Sequence, residues 1–162
     1  MEEENTTIIG LGKYAVAHNP ASLASLGLGS CVAVVMYDPI NRIGGLAHIM
    51  LPTINTVKSQ SNVNKFADIA IQNMYDDLLK MGAVKENLIV KLVGGAHMFK
   101  TLDKKIHSGI GESNLEAVRK KLHDLELRIV AEDTGGNVGR TAYLDLKSGN
   151  VYVKTKDYIK EL

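Results

Sequence analysis

The chain has 162 residues, 45% of them apolar, with two Phe, six Tyr and no Trp, which suits one globular domain with an aliphatic core and excludes a disordered chain. Nineteen basic residues against 18 acidic ones leave a net charge of +1, so the basic footprint of a nucleic-acid binder is excluded. No apolar run approaches the roughly 20 residues that span a bilayer, the acidic stretch Met1–Asn5 is no secretory leader, and a single cysteine excludes an intramolecular disulfide; a cytoplasmic protein without membrane insertion is expected.

Taken in chain order, residues 7–17 alternate loosely around Gly10 and Gly12 and predict one or two short strands. Residues 18–25 read as a polar loop. Cys31 to Tyr37 is a β-branched run and predicts a strand, followed by a turn through Pro39, Asn41, Gly44 and Gly45 and a return strand over 46–51, closed by Pro52. Residues 53–62 are polar and aperiodic, an exposed loop. Phe66, Ile69, Ala70, Met74 and Leu78 recur at helical spacing and predict a helix over 64–81, with Gly82 just past its end. Residues 88–95 predict a central strand, and 96–112 a loop containing Lys104 and Lys105. Ser113 and Glu116 match a capping box before the apolar stripe Leu115, Val118, Leu122 and Leu125. A strand over 128–133, a glycine-rich loop and a hairpin of 141–146 with 151–155 complete the chain. Strands and helices do not alternate regularly, which points to α+β. A single domain over 1–162 is expected, with mobile ends at 1–6 and 157–162.

Cys31 reads either as a small buried side chain at the start of a strand or as a reactive thiol on a glycine-rich turn. Three features favour the thiol. Gly27 and Gly29, with Ser30, allow a turn whose amides converge on one point and form an oxyanion or substrate-binding nest. Counting back along the predicted hairpin, with Tyr37 near Arg42 or Ile43, sets Cys31 opposite His48 or Ile49, where facing Cβ atoms lie about 4.5–5.5 Å apart. A catalytic imidazole needs a third group to orient it, and Ser25 is the candidate, with Ser22 the weaker one. Other motifs carry less. Gly10–Lys13 lacks the spacing of a phosphate loop, the histidines lack metal-site spacing, and Asp133 with Thr134 suits a turn or a ligand contact.

The blocks GLGSCVAVVMYDP, GGLAHIMLP, LVGGAHMF, IGESNLEAVRKKL and AEDTGGNVGR, in this order from about Ile8 to Lys154, resemble the chemoreceptor glutamine deamidases, the CheD family. The resemblance implies a β-sandwich-like core flanked by helices, similar to the catalytic domain of cytotoxic necrotizing factors. It implies a cysteine hydrolase that converts glutamines of chemotaxis-receptor helices to glutamate, without metal or cofactor. Its implied partners are the methyl-accepting receptors and a CheC-type phosphatase. The family's catalytic Cys and His fall on Cys31 and His48, and its usual threonine on Ser25; His97 receives no catalytic task. A regulator of the phosphatase, with deamidation secondary, is the alternative expectation.

Overall fold

The computed structural model describes residues 5–53, 62–98 and 109–162. Among these, ten strands form two five-stranded sheets packed face to face, and two helices cover the outside of one sheet.

The inner sheet has the order β2 (Tyr14–His18), β5 (Ile43–Ile49), β4 (Val32–Asp38), β6 (Ile89–Gly94) and β7 (Arg128–Thr134). Every residue of β4 and β5 is buried. That explains the unbroken apolar run of β4, since a strand covered on both faces has no solvent side to alternate with. Val32, Val34 and Met36 pack under helix α1 (Ala67–Lys80) and helix α2 (Ile110–Asp124), whereas Ala33, Val35 and Tyr37 face the second sheet.

The outer sheet has the order β1 (Thr6–Ile8), β3 (Ser22–Leu28), β8 (Arg140–Asp145), β9 (Val151–Lys154) and β10 (Ile159–Glu161). In β8 and β9, Ala142, Leu144, Val151 and Val153 point into the sandwich while Tyr143 and Tyr152 are half-buried on the other face, the alternation expected of a sheet wetted on one side. No helix among the described residues is long and apolar enough to cross a membrane.

Several expectations are corrected. Residues 22–28 form strand β3 rather than a loop, pairing with β1 and β8. Its small polar residues hid it, and a bulge between Ser25 and Leu28, with Gly27 at φ +63, breaks its alternation. The β4–β5 hairpin closes on Asp38 opposite Ile43, so Tyr37 lies opposite Gly44, and His48 lies opposite Ala33 instead of Cys31. The physical reason is the wider turn: the Asp38 carboxylate accepts from the amides of Ile40 and Asn41 and from the Asn41 side chain, holding Pro39–Arg42 as a four-residue loop. Helix α2 starts at Ile110 with Gly109 as its N-cap, so Ser113 is already inside the helix and is not its N-cap. The early start depends on Gly111, where a Cβ would meet the Ala96 carbonyl at 2.5 Å. Residues 157–162 contain β10, which pairs with β9. The expected loops over 53–62 and 96–112 lie largely outside the described residues.

Candidate active site

The chain passes between the two sheets at Ile9–Lys13, from β1 to β2, and at Gly29–Cys31, from β3 to β4. The candidate residues gather at this end of the sandwich.

His48 lies near the end of β5, 2% exposed. Its backbone is held by the neighbouring turn: the His48 amide donates to the Lys13 carbonyl at 2.8 Å, and the Gly12 amide donates to the His48 carbonyl at 3.0 Å. Gly12 sits at φ +69, with Lys65 and Asn62 so close that a Cβ would collide with them. The His48 Nδ1 lies 3.1 Å from the Ile9 carbonyl. A carbonyl only accepts, so Nδ1 carries the proton and Nε2 holds the free lone pair. Nε2 is buried and has no partner among the described residues.

Ser25 is fully buried, and its hydroxyl donates to the same Ile9 carbonyl, at 3.1 Å. The expected contact between Ser25 and the ring is therefore indirect: both groups converge on one backbone oxygen. That oxygen is itself fixed, because the Ile9 amide donates to the Ala24 carbonyl at 2.7 Å. Ser22 lies at the far end of β3, opposite Asp145, and is not brought to the site.

Cys31 is half-buried and packs against the core between the sheets, the side that Ala33 faces. Ala33 is directly opposite His48, and Cys31, just before β4, precedes it by two residues, so the two residues take positions diagonal to one another where the ladder ends. Diagonal positions in a ladder are roughly 7–8 Å apart along the backbone, a gap that long side chains span. The turn before Cys31 is held from behind by its carbonyls. Gly29 O accepts from the Ala96 amide at 2.9 Å, Ser30 O from the Asn114 side chain at 3.0 Å, and Cys31 O from the Gly95 amide at 2.8 Å. The Ser30 and Cys31 amides donate to no acceptor among the described residues. Gly27 supplies the positive φ of the bulge. Gly29 has another reason to lack a side chain: a Cβ there would meet Met98 Cγ at 2.9 Å.

Burial raises the Cys31 thiol above its ordinary pKa. Burial also lowers the His48 imidazole, partly offset by its bond to Ile9. Both shifts favour a neutral thiol beside a neutral imidazole, so the pair suits a nucleophile with a general base rather than a standing ion pair.

The other sequence candidates take different places. Asp133 is buried and accepts from Arg140, from the Tyr158 hydroxyl at 2.7 Å and from Lys160 at 3.3 Å; it joins β7 to β8 and β10 as a structural node. His97 lines a cavity of about 240 Å³ with Gly95, Glu112 and Gly136, behind the turn that carries Cys31. A larger groove of about 950 Å³ lies at the opposite end of β2 and β3, beside His18, Ser22 and Lys147, away from Cys31 and His48. Sequence reasoning missed Ile9, which acts here through a carbonyl that every residue possesses. It also missed Asn114, which the capping-box reading absorbed.

Comparison with known proteins finds relatives along most of the chain. A family profile described as CheD chemotactic sensory transduction matches residues 50–155. A protein of Moorella thermoacetica named probable chemoreceptor glutamine deamidase CheD is 45% identical over 91% of this chain and 89% of its own length. Proteins of the same name from Desulforamulus reducens and Clostridium tetani are 44% and 46% identical over the same shares. With a profile match over residues 50–155 and relatives at 45% identity over 91% of its length, the chain belongs to the CheD family.

Proposed function

We propose that this protein is a chemoreceptor glutamine deamidase that works through a cysteine thioester, with Cys31 as nucleophile, His48 as general base and acid, and Ser25 as a positioning residue. The observation that carries the reading is the tautomer of His48. Its Nδ1 proton is committed to the Ile9 carbonyl, which leaves a buried Nε2, without a partner among the described residues, on the face that also holds Cys31.

In this mechanism Nε2 takes the thiol proton as sulfur attacks the side-chain amide carbon of glutamine. The amides of Ser30 and Cys31, which have no acceptor among the described residues, stabilise the oxyanion. The imidazolium then gives its proton to the leaving nitrogen, ammonia departs and a γ-glutamyl thioester remains. Water, deprotonated by Nε2, attacks the thioester, and glutamate and the free thiol are released. Ser25 restrains the Ile9 carbonyl that sets the ring plane. No redox step occurs and no cofactor takes part. The substrates are glutamines on the cytoplasmic helices of methyl-accepting receptors, in keeping with the name of the relatives.

The test incubates the protein with receptor cytoplasmic fragments and follows ammonia release and the mass of glutamine-containing peptides. Cys31→Ala and His48→Ala are expected to abolish turnover with the fold retained. Full activity in either variant overturns the mechanism.

A further inference from the structure

Asn114 is fully buried on α2, whose other buried residues are Gly111, Val118 and Leu122. Its side-chain nitrogen donates to two carbonyls, Ser30 O and Met50 O, each at 3.0 Å. Its Oδ1 is buried without a partner among the described residues. The stranded Oδ1 costs stability, but an apolar side chain here would in turn strand the Ser30 and Met50 carbonyls. The position of the two bonds suggests what the amide is for. Ser30 O belongs to the peptide that ends in the Cys31 N–H, and Met50 follows His48 by two residues.

A trans peptide is planar, and its C=O and N–H point in opposite directions. Fixing the Ser30 carbonyl therefore fixes the direction of the Cys31 amide. The Gly29 carbonyl is held in the same way by the Ala96 amide, which fixes the direction of the Ser30 N–H. Both amides are without acceptors among the described residues. We infer that Asn114 is a positioning residue for the oxyanion hole: it holds the Ser30–Cys31 peptide plane so that the Cys31 N–H meets the developing oxyanion, and its second bond, to Met50, locks the amide in place. This rests on the thioester reading given above. Asn114 touches neither substrate nor thiol in this role and acts only through the peptide it holds.

The role has a signature that general loosening of the site lacks. Alkylation of Cys31 by iodoacetamide is a displacement at carbon and forms no oxyanion, whereas deamidation does. In Asn114→Leu, kcat on receptor fragments is expected to fall about ten- to a hundredfold. KM and the rate of Cys31 alkylation stay within about twofold, because the thiol, the base and the binding surface are untouched. His48→Ala is the contrasting arm, expected to slow alkylation as well as turnover. Asn114→Ser, small enough to admit water, serves if the Leu variant does not fold.

Wild-type kcat in a folded Asn114 variant overturns the inference, as does an alkylation rate that falls in proportion to kcat. Failure of both variants to fold assigns Asn114 to stability and also overturns it. The thioester reading fails separately, if Cys31→Ala retains turnover.

Discussion

The residues around His48 determine how the site should respond to pH. Its imidazole lies below the ordinary histidine pKa and the Cys31 thiol above the ordinary cysteine value, so neither is charged at neutral pH. The acid limb of kcat/KM is accordingly expected below about pH 6.5, the ordinary histidine value. A difference spectrum between wild type and Cys31→Ala should show no thiolate absorbance at neutral pH. Strong thiolate absorbance there would contradict the neutral pair. Ser25 shares an acceptor with the ring instead of holding the ring itself. Ser25→Ala is expected to lower kcat about fivefold, the worth of one modest hydrogen bond, and Ser25→Thr less, since it keeps the hydroxyl. Equal rates in all three forms would remove Ser25 from the site. Cys31, His48 and Ser25 could be picked out in the sequence because the proposed chemistry lies in their side chains. It was silent on Ile9, whose contribution is a backbone oxygen.

Two glycine contacts, one at the site and one away from it, separate stability from function at the level of elements. Gly94 ends β6 at φ +114, and a Cβ there would run into the Cys31 carbonyl. Gly149, in the β8–β9 turn at φ +80, would press the same atom into the Tyr37 ring. Replacing either by Ala should cost about 1–3 kcal/mol of stability, read from chemical denaturation. Only Gly94→Ala should also depress kcat, because it displaces the turn that carries Cys31, the proposed nucleophile. A Gly94→Ala protein with unchanged turnover would show that the turn tolerates movement. The contrast between β4 and β3 explains what could be read of the elements. The β4 run is apolar throughout because both of its faces are covered, and it was legible. β3 turns Leu23 and Ser25 between the sheets and Ser22 and Ala24 to the other face, and then bulges, so its pattern of small and polar residues resembles a loop. The hairpin was legible too, but its register was not: it lies one or two residues from the expected pairing, which had Cys31 opposite His48 or Ile49, and only the network around Asp38 reveals the wider turn that sets His48 opposite Ala33.

For the molecule as a whole, stability depends on how the two sheets are joined. Asp133 of the inner sheet receives Arg140 and Lys160 of the outer sheet, with Arg140 and Asp133 both nearly enclosed. Asp133→Ala leaves the Arg140 charge buried without its partner and should cost about 3–5 kcal/mol. Two-state denaturation would measure it, and a loss well under 1 kcal/mol, the worth of a surface pair, would refute it. His48 adds a pH dependence. Below about pH 6.5 the unfolded chain takes up a proton on this imidazole while the native state does not, so stability falls with pH until the depressed native value is reached. His48→Gln should lose less melting temperature than wild type between about pH 7 and 5.5.

Ile9 belongs to neither sheet, yet its amide is tied to Ala24 of the outer one and its carbonyl to His48 of the inner one. One residue thus works as a rivet through the seam. Sliding the sheets by a fraction of a strand spacing would leave every ladder intact and still pull the imidazole off its axis. Turnover is then a gauge of how the layers are docked, not of how much strand the chain contains. In a urea titration, activity should fade with the tyrosine signals of the seam, where Tyr37 reaches Leu146, and never outlast them.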